Sequence, residues 1–446
     1  MGRDLTTGSI FGNVVRFSLP YLLSYFLQTL YGMADLFIIG QYAGVKATTA
    51  VSVGSQVMHM LTVMIVGLAM GTTVSIAQAI GAKDRARASA ATGNTAALFL
   101  PLSVLLAGVL LLLRGAIVSV MATPAQARAG AEQYLTICFL GIPFITAYNI
   151  ISAIFRGMGD SKSPMYFILI ACLANIGLDY LFMGALHMGP TGAALGTTLS
   201  QALSVAAALT VIIRRRLLRV GRQDLRPQRQ ILAQILRIGV PITVQDGFIQ
   251  ISFIVITIIA NRRGLTDAAA VGIVEKIMGF LFLVPSSMLS TVSALGAQNI
   301  GAGKPERAKK TLFCAIALAC GFGAAVVALV QFIAEPMVGM FTPDAAVAAA
   351  GGQYLRGYIW DSFFAGVQFS FSGYFCACGC SGLSFLHNFL SIVCVRVPGA
   401  YTASRLFPQT LLPMGLANAA GSLFSIAVCV CAYLILMRRQ KNIPEV

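Results

Sequence analysis

The sequence reads as an all-α polytopic membrane protein, with twelve transmembrane helices in two pseudo-symmetric six-helix lobes. Three observations lead there. The 446 residues are 57% hydrophobic and 10% charged, against about 25% charged in an average soluble domain, and the mean hydropathy is +0.83. Apolar stretches able to cross a hydrocarbon core, about 20 residues each, recur from residue 13 to residue 437. The two halves also repeat each other at an offset of 220 residues. Such a composition excludes a soluble enzyme, a disordered chain and a fibrous protein.

Apolar runs broken by Gly, Pro or charge place the spans at 13–39, 47–77, 91–114, 131–155, 164–184, 191–213, 238–260, 268–297, 311–333, 351–375, 384–407 and 411–437. The second and eighth are long enough to tilt or project beyond the bilayer. Met1 to Gly12 is short and polar and the first apolar stretch runs on as a full span, so no cleavable signal is expected. The net charge of +16 lies in the gaps: Lys83, Arg85 and Arg87; Arg156 and Lys162; Lys304, Arg307, Lys309 and Lys310; and Arg438, Arg439 and Lys441 in the tail. About 22 basic residues fall on one side and about 7 on the other, which places both termini in the cytoplasm of a chain crossing the cytoplasmic (inner) membrane. Basic residues distributed this way orient a membrane chain, so no nucleic-acid partner is expected.

The longest polar segment holds Arg214, Arg215, Arg216, Arg219, Arg222, Arg226, Arg229 and Arg237. It divides the chain into an N-terminal lobe, 1–213, an Arg-rich cytoplasmic linker, 214–237, and a C-terminal lobe, 238–446. The linker suits anionic headgroups, where each basic residue contributes about 1 kcal/mol.

The repeat is carried by several unrelated stretches in one register. Gln78 and Gly81 align with Gln298 and Gly301; Gln133-Tyr134-Leu135 with Gln353-Tyr354-Leu355; Phe155, Gly159 and Ser161 with Phe375, Gly379 and Ser381. Pro20 pairs with Pro241, one residue out of step. Six spans per half make a parallel repeat about an axis along the membrane normal, the plan of a carrier working by alternating access. Two lobes of one chain suffice, so a monomer is expected. A channel would need a filter-like ring that this plan does not offer.

Cysteine and histidine give little. Cys138, Cys172, Cys314, Cys320, Cys394, Cys429 and Cys431 lie in apolar runs, where a thiol packs as a small hydrophobe. Cys376, Cys378 and Cys380 are spaced too tightly for a structural zinc site. His59, His187 and His387 are scattered, so neither a resident metal nor an enzymatic centre is expected.

Five acids fall within the spans: Asp35, Asp179, Asp246, Glu275 and Asp361. An ionised group at the bilayer centre costs about 3 kcal/mol on insertion scales and is a functional candidate by default. Asp35 and Asp179 have no Lys or Arg in the interior of the six spans around them, so they stay protonated, face water or bind a cation, which is the chemistry of proton or sodium coupling. Asn175 shares a helix face with Asp179, and Asn149, Tyr134 and Thr197 add oxygen groups on other spans. Pro20, fifteen residues before Asp35, is a kink point in the first helix. In the second half Asp246, Glu275 and Asp361 have Lys276 and Arg396 as in-membrane partners, so ion pairs compete there with a substrate or ion site. Asp361 stands beside Trp360, Phe363 and Phe364, a setting that suits an organic cation.

On these residues the sequence resembles the multidrug and toxic compound extrusion (MATE) transporter family, in its DinF-like branch, over about residues 10–437. The resemblance rests on Pro20 with Gly32-Met33-Ala34-Asp35, on Asn175-Ile176-Gly177-Leu178-Asp179, on Arg156-Gly157-Met158-Gly159-Asp160-Ser161, and on Gln298-Asn299-Ile300-Gly301-Ala302-Gly303 with Arg307-Ala308. It implies two six-helix lobes in a V and antiport of amphipathic, often cationic drugs against H+ or Na+, with no other cofactor. It further implies a coupling site of Asp35, Asn175 and Asp179 supported by Tyr134, Asn149 and Thr197, with Pro20 as the kink. The Phe375-Cys376-Ala377-Cys378-Gly379-Cys380 stretch departs from the family pattern, and the second-half acids look like a subgroup feature. A lipid-linked precursor flippase of related fold is the alternative; it would call for a strongly basic central cavity, whereas basic residues here avoid the spans.

Overall fold

The structure, a computed structural model, describes residues 4–215 and 221–441. Arg216 and Arg219, and the side chains of Arg215, Arg439 and Lys441, lie outside that description. Helices follow one another along the chain: α1 Ile10–Tyr42, α2 Gly44–Gly81, α3 Arg85–Val120, α4 Ala125–Leu140, α5 Ile142–Gly157, α6 Lys162–Asp179, α7 Gly189–Arg215, α8 Arg229–Asn261, α9 Leu265–Leu281, α10 Leu283–Gly301, α11 Pro305–Gly339, α12 Ala345–Tyr358, α13 Trp360–Ala377, α14 Ser381–Ser391, α15 Val397–Leu406 and α16 Leu412–Lys441. One π turn, Tyr180–Ala185, continues α6, and another, Ile392–Arg396, joins α14 to α15.

Among the described residues ten helical stretches are long and apolar enough to cross a membrane, and α4–α5, bent by 48° at Gly141, makes an eleventh. The span expected over 351–375 is realised as α12 and α13, which is not among them. Gln353, Arg356, Asp361 and Gln368 lower its hydropathy, and it packs on α9, α11 and α16. A segment held among other helices needs less apolar surface than one facing lipid.

Two compact units result. One comprises the described residues of 4–7 and 16–243 together with Gly301–Gly303; the other comprises Gly8–Val15, Val244–Ile300 and the described residues from Lys304 onward. The division falls inside α1 and α8, near Pro20 and Pro241, and α8 begins within the Arg-rich stretch. The first unit packs around Ile39, Val51, Leu135 and Phe139 and, beside them, Ile76, Phe99, Phe155 and Ile168. The second packs around Val271, Val274, Val330, Tyr354, Leu355 and Met414.

The repeat extends to backbone detail. Positive φ recurs 220 residues apart at Gly44 (+68°) and Gly264 (+129°), at Lys83 (59°) and Gly303 (70°), and at Gly159 (84°) and Gly379 (72°). Thr73 Oγ1 donates to the carbonyl of Ala153 at 3.2 Å, and Ser293 Oγ to that of Gly373 at 3.3 Å, the same bond in each unit. Gly379 turns the chain between α13 and α14, and the three clustered cysteines line that turn. Cys376 is buried at the end of α13, and Cys380 Sγ donates to the Cys378 carbonyl at 3.7 Å. Among the described residues no group of three His, Cys, Asp or Glu is placed to hold a metal ion.

Close helix crossings rest on glycine. Where α12 meets α16, a Cβ on Gly357 would lie 2.4 Å from the Leu412 carbonyl oxygen, and one on Gly415 would lie 2.3 Å from that of Tyr354. Gly415→Val should therefore lower stability by about 1–3 kcal/mol or more, read as a fall in thermal unfolding temperature in detergent. Gly272→Ala, whose Cβ would meet open space, should leave that temperature unchanged or slightly raised.

Candidate coupling site

In the first unit, α1 brings Asp35 inward beside Ile38 and Ile39, and its carboxyl is 2% exposed. Asn175 and Asp179, one helical turn apart on α6, are both fully buried. From α7, Thr197 Oγ1 lies 3.1 Å from Asp35 Oδ2 and equally 3.1 Å from the Ala193 carbonyl. One hydroxyl proton serves only one of these acceptors at a time. The Asp179 and Asp35 carboxyls face each other, with the Asn175 amide beside them. Asp35 Oδ1, both carboxyl oxygens of Asp179 and Asn175 Oδ1 accept no hydrogen bond from the protein groups around them, and Asn175 Nδ2 donates none. Among the described residues no Lys or Arg pairs with either acid. The site is thus rich in acceptors and poor in donors, a donor set that fits a proton or a hard monovalent cation.

Gly196, which sequence reasoning missed, makes this arrangement possible. A Cβ there would sit 2.1 Å from Asp179 Oδ1. A side chain one position before Thr197 would displace the Asp179 carboxyl from this position, and nothing in the local sequence pattern marks the glycine. Tyr31, one turn before Asp35, faces Gln201 of α7 and extends the polar strip along the same face.

Tyr134 and Asn149 are buried in the same unit, but their hydrogen bonds go elsewhere. The Tyr134 hydroxyl pairs with Ser55 Oγ at 3.1 Å, its ring lying where a side chain on Gly54 would be. Asn149 Nδ2 donates to the Ile145 carbonyl at 2.8 Å. Asn149 also lines a cavity of about 20 Å³ with Tyr21, Gln28, Tyr148 and Arg156, room for about one water. Pro20 lies inside α1, and Ser24 Oγ donates to its carbonyl at 2.8 Å.

The second unit is organised differently. Asp361 is fully buried and takes a hydrogen bond from Arg396 at 2.6 Å, with the guanidinium 5.7 Å from the Phe253 ring centre. Arg396, not the exposed Lys276, is therefore the in-membrane partner. Thr257 Oγ1 lies 3.3 and 3.4 Å from the two Glu275 carboxyl oxygens and 2.9 Å from the Phe253 carbonyl, the shorter contact for its one proton. Among the described residues no hydrogen bond or ion pair reaches the half-buried Asp246. His387, fully enclosed, joins Ser372 of α13 at 2.8 Å and Ser425 of α16 at 2.7 Å through its two ring nitrogens, tying three helices together.

Removing one member of the Asp361–Arg396 pair strands a buried charge, at a cost of about 3–5 kcal/mol. Arg396→Met should therefore destabilise more than the double variant Asp361→Leu/Arg396→Met, measured as a double-mutant cycle of thermal unfolding in detergent.

Known proteins share this plan. The MatE family model matches the chain twice, over residues 20–181 and 241–402, once in each half. The chain is 28% identical over 430 residues to the probable multidrug resistance protein YpnP of Bacillus subtilis (strain 168), covering 96% of this chain and 95% of that one. It is 25% identical over 433 residues to the multidrug export protein MepA of Staphylococcus aureus (strain MRSA252), covering 96% and 94%. A crystal structure of MATE in the straight conformation shares its fold with a TM-score of 0.92 at 23% identity, covering 98% of this chain and 99% of that one. Two matched copies, two repeating units and full-length relatives agree: the chain belongs to the MatE family of multidrug efflux transporters.

Proposed function

We propose that this transporter is a cation-coupled antiporter of the cytoplasmic membrane, exporting amphipathic, cationic small molecules in exchange for H+ or Na+ by alternating access. The observation that carries this reading is the buried Asp35–Asp179 pair with no basic partner among the described residues. Two facing carboxyls share one proton readily, and the second ionises only against repulsion from the first. Loading the pair with a cation and emptying it are thus distinct states of the site.

Thr197 connects loading to the helices. When Asp35 is ionised, the Thr197 hydroxyl donates to Oδ2. When Asp35 carries the proton, it can donate to Thr197, whose own proton then turns to the Ala193 carbonyl. The contact between α1 and α7 therefore changes its donor with occupancy. In α1 the weakest point is Pro20, which withdraws one backbone donor from the helix, and bending there would pass the change along the helix. Asn175 contributes an amide oxygen to the same cluster. Tyr134 and Asn149 support the walls around it.

For cargo, the second-unit acids sort by their partners. Asp361 is occupied by Arg396 and Glu275 stands 3.3 Å from the Thr257 hydroxyl, whereas Asp246 has no polar partner among the described residues and is the acid assigned to a cationic group. Phe248, two residues on from it in α8, packs with Phe385 and Phe389 of α14 in an aromatic cluster.

The reading is tested by efflux of a fluorescent organic cation into everted vesicles, with proton and sodium gradients imposed separately. Wild type should follow one gradient, and Asp35→Asn should abolish that dependence. Gly196→Ala, which drives a methyl group into Asp179, should lower coupled transport about tenfold or more without unfolding the protein. Asp246→Asn should weaken export of cations more than of neutral amphiphiles. Full gradient-driven transport by Asp35→Asn would overturn the coupling assignment.

A further inference from the structure

A cavity lies in the second unit, at the end of α8 opposite the Arg-rich stretch. It measures about 350 Å³ and is lined by Arg262, Arg263 and Arg405 together with Ile259, Tyr401 and Pro408. That volume falls within the range of small-ligand pockets, about 300–1,000 Å³.

The three arginines are not equivalent. Arg263 is spent on the fold: its guanidinium bonds Asp267 at 2.6 Å and the carbonyls of Ser404, Phe407, Pro408 and Thr410 at 3.0–3.2 Å. It pins the connection between α15 and α16 and so builds one wall. Arg262 and Arg405 have no salt bridge among the described residues. The Arg405 guanidinium rests 5.6 Å from the Tyr401 ring centre, which holds it on the cavity's edge. Two uncompensated guanidiniums thus share one hollow with an apolar wall.

Charge distribution makes this placement unusual. Basic residues collect at the opposite ends of the spans, as orientation requires, yet here three meet at the sparse end. The cavity lies where α8 and α15 both finish their crossing, the depth at which headgroup phosphates sit. A guanidinium fork matches phosphate oxygens in pairs. Ile259, Tyr401 and Pro408 offer apolar contact to the glycerol and acyl chains of a lipid, which a free phosphate ion lacks.

We propose that Arg262 and Arg405 seat the phosphate of an anionic phospholipid, one molecule held at the far end of the second unit. The test is native mass spectrometry of the delipidated full chain titrated with phosphatidylglycerol, phosphatidylcholine or inorganic phosphate. Wild type should retain one phosphatidylglycerol in preference to phosphatidylcholine. Arg262→Gln/Arg405→Gln should weaken that retention roughly thirty-fold, the scale set by two basic residues at a membrane surface. Arg262→Lys/Arg405→Lys, which keeps the charge and loses the forks, should fall between. Equal retention by the double Gln variant, equal retention of the two lipids, or binding of inorganic phosphate in place of lipid would overturn the proposal.

Discussion

Hydrocarbon offers no hydrogen-bond partner, so every backbone donor and acceptor in a span must be satisfied inside its own helix. This constraint governs the whole molecule. Side-chain hydroxyls and amides obey it by turning back on the helix that carries them: Thr29, Thr95, Asn149, Thr257 and Asn299 each donate to the carbonyl one turn earlier. Buried side-chain atoms without a hydrogen-bond partner are scattered through both units, but one group of them is concentrated. Asp35, Asn175 and Asp179 keep buried atoms that no protein group satisfies, and they meet at one place.

The two halves share a backbone plan but have diverged in chemistry. At the 220-residue offset, Asn175, Asp179 and Thr197 correspond to Val395, Gly399 and Ala417, and Asp35 falls at Val255 or Ile256. The acid cluster therefore has no counterpart in the second unit. Conversely Glu275 stands where the first half has Ser55, and the Asp361–Arg396 pair replaces Gly141 and Ile176. One copy keeps its carboxyls uncompensated; the other neutralises its principal buried acid internally. Duplicated folds can separate tasks in this way, because a shared scaffold holds the geometry while side chains change at matched sites.

Spans, repeat and the central acids were legible because each leaves a mark in composition or spacing. A carboxylate in an apolar run needs no three-dimensional information to be noticed, and Asn175 follows from one helical turn. The roles of Tyr134 and Asn149 were not legible. Both are oxygen-bearing residues on apolar spans, yet their bonds to Ser55 and Ile145 depend on how helices rotate against one another. Gly196 was hidden for the opposite reason: its contribution is an absent atom, visible only once Asp179 is placed. The span 351–375 was legible as an apolar run even though Gln353, Arg356, Asp361 and Gln368 hold its hydropathy below that of the other spans.

The two π turns interrupt the regular register of the helices that carry them. One begins immediately after Asp179 and the other ends at Arg396, so each half carries a wide turn next to a buried charged or acidic residue. A π turn contains one residue more than an α turn, so side chains before and after it point about 100° out of phase with a regular helix. Elsewhere in a span, gaining or losing a residue would misalign every later contact. At these two places the wide turn carries one extra residue, and removing it would restore a regular helix while swinging the remaining turns to a new face. These positions are therefore where a duplicated carrier can try new register, and hence new wall chemistry, without breaking the bundle.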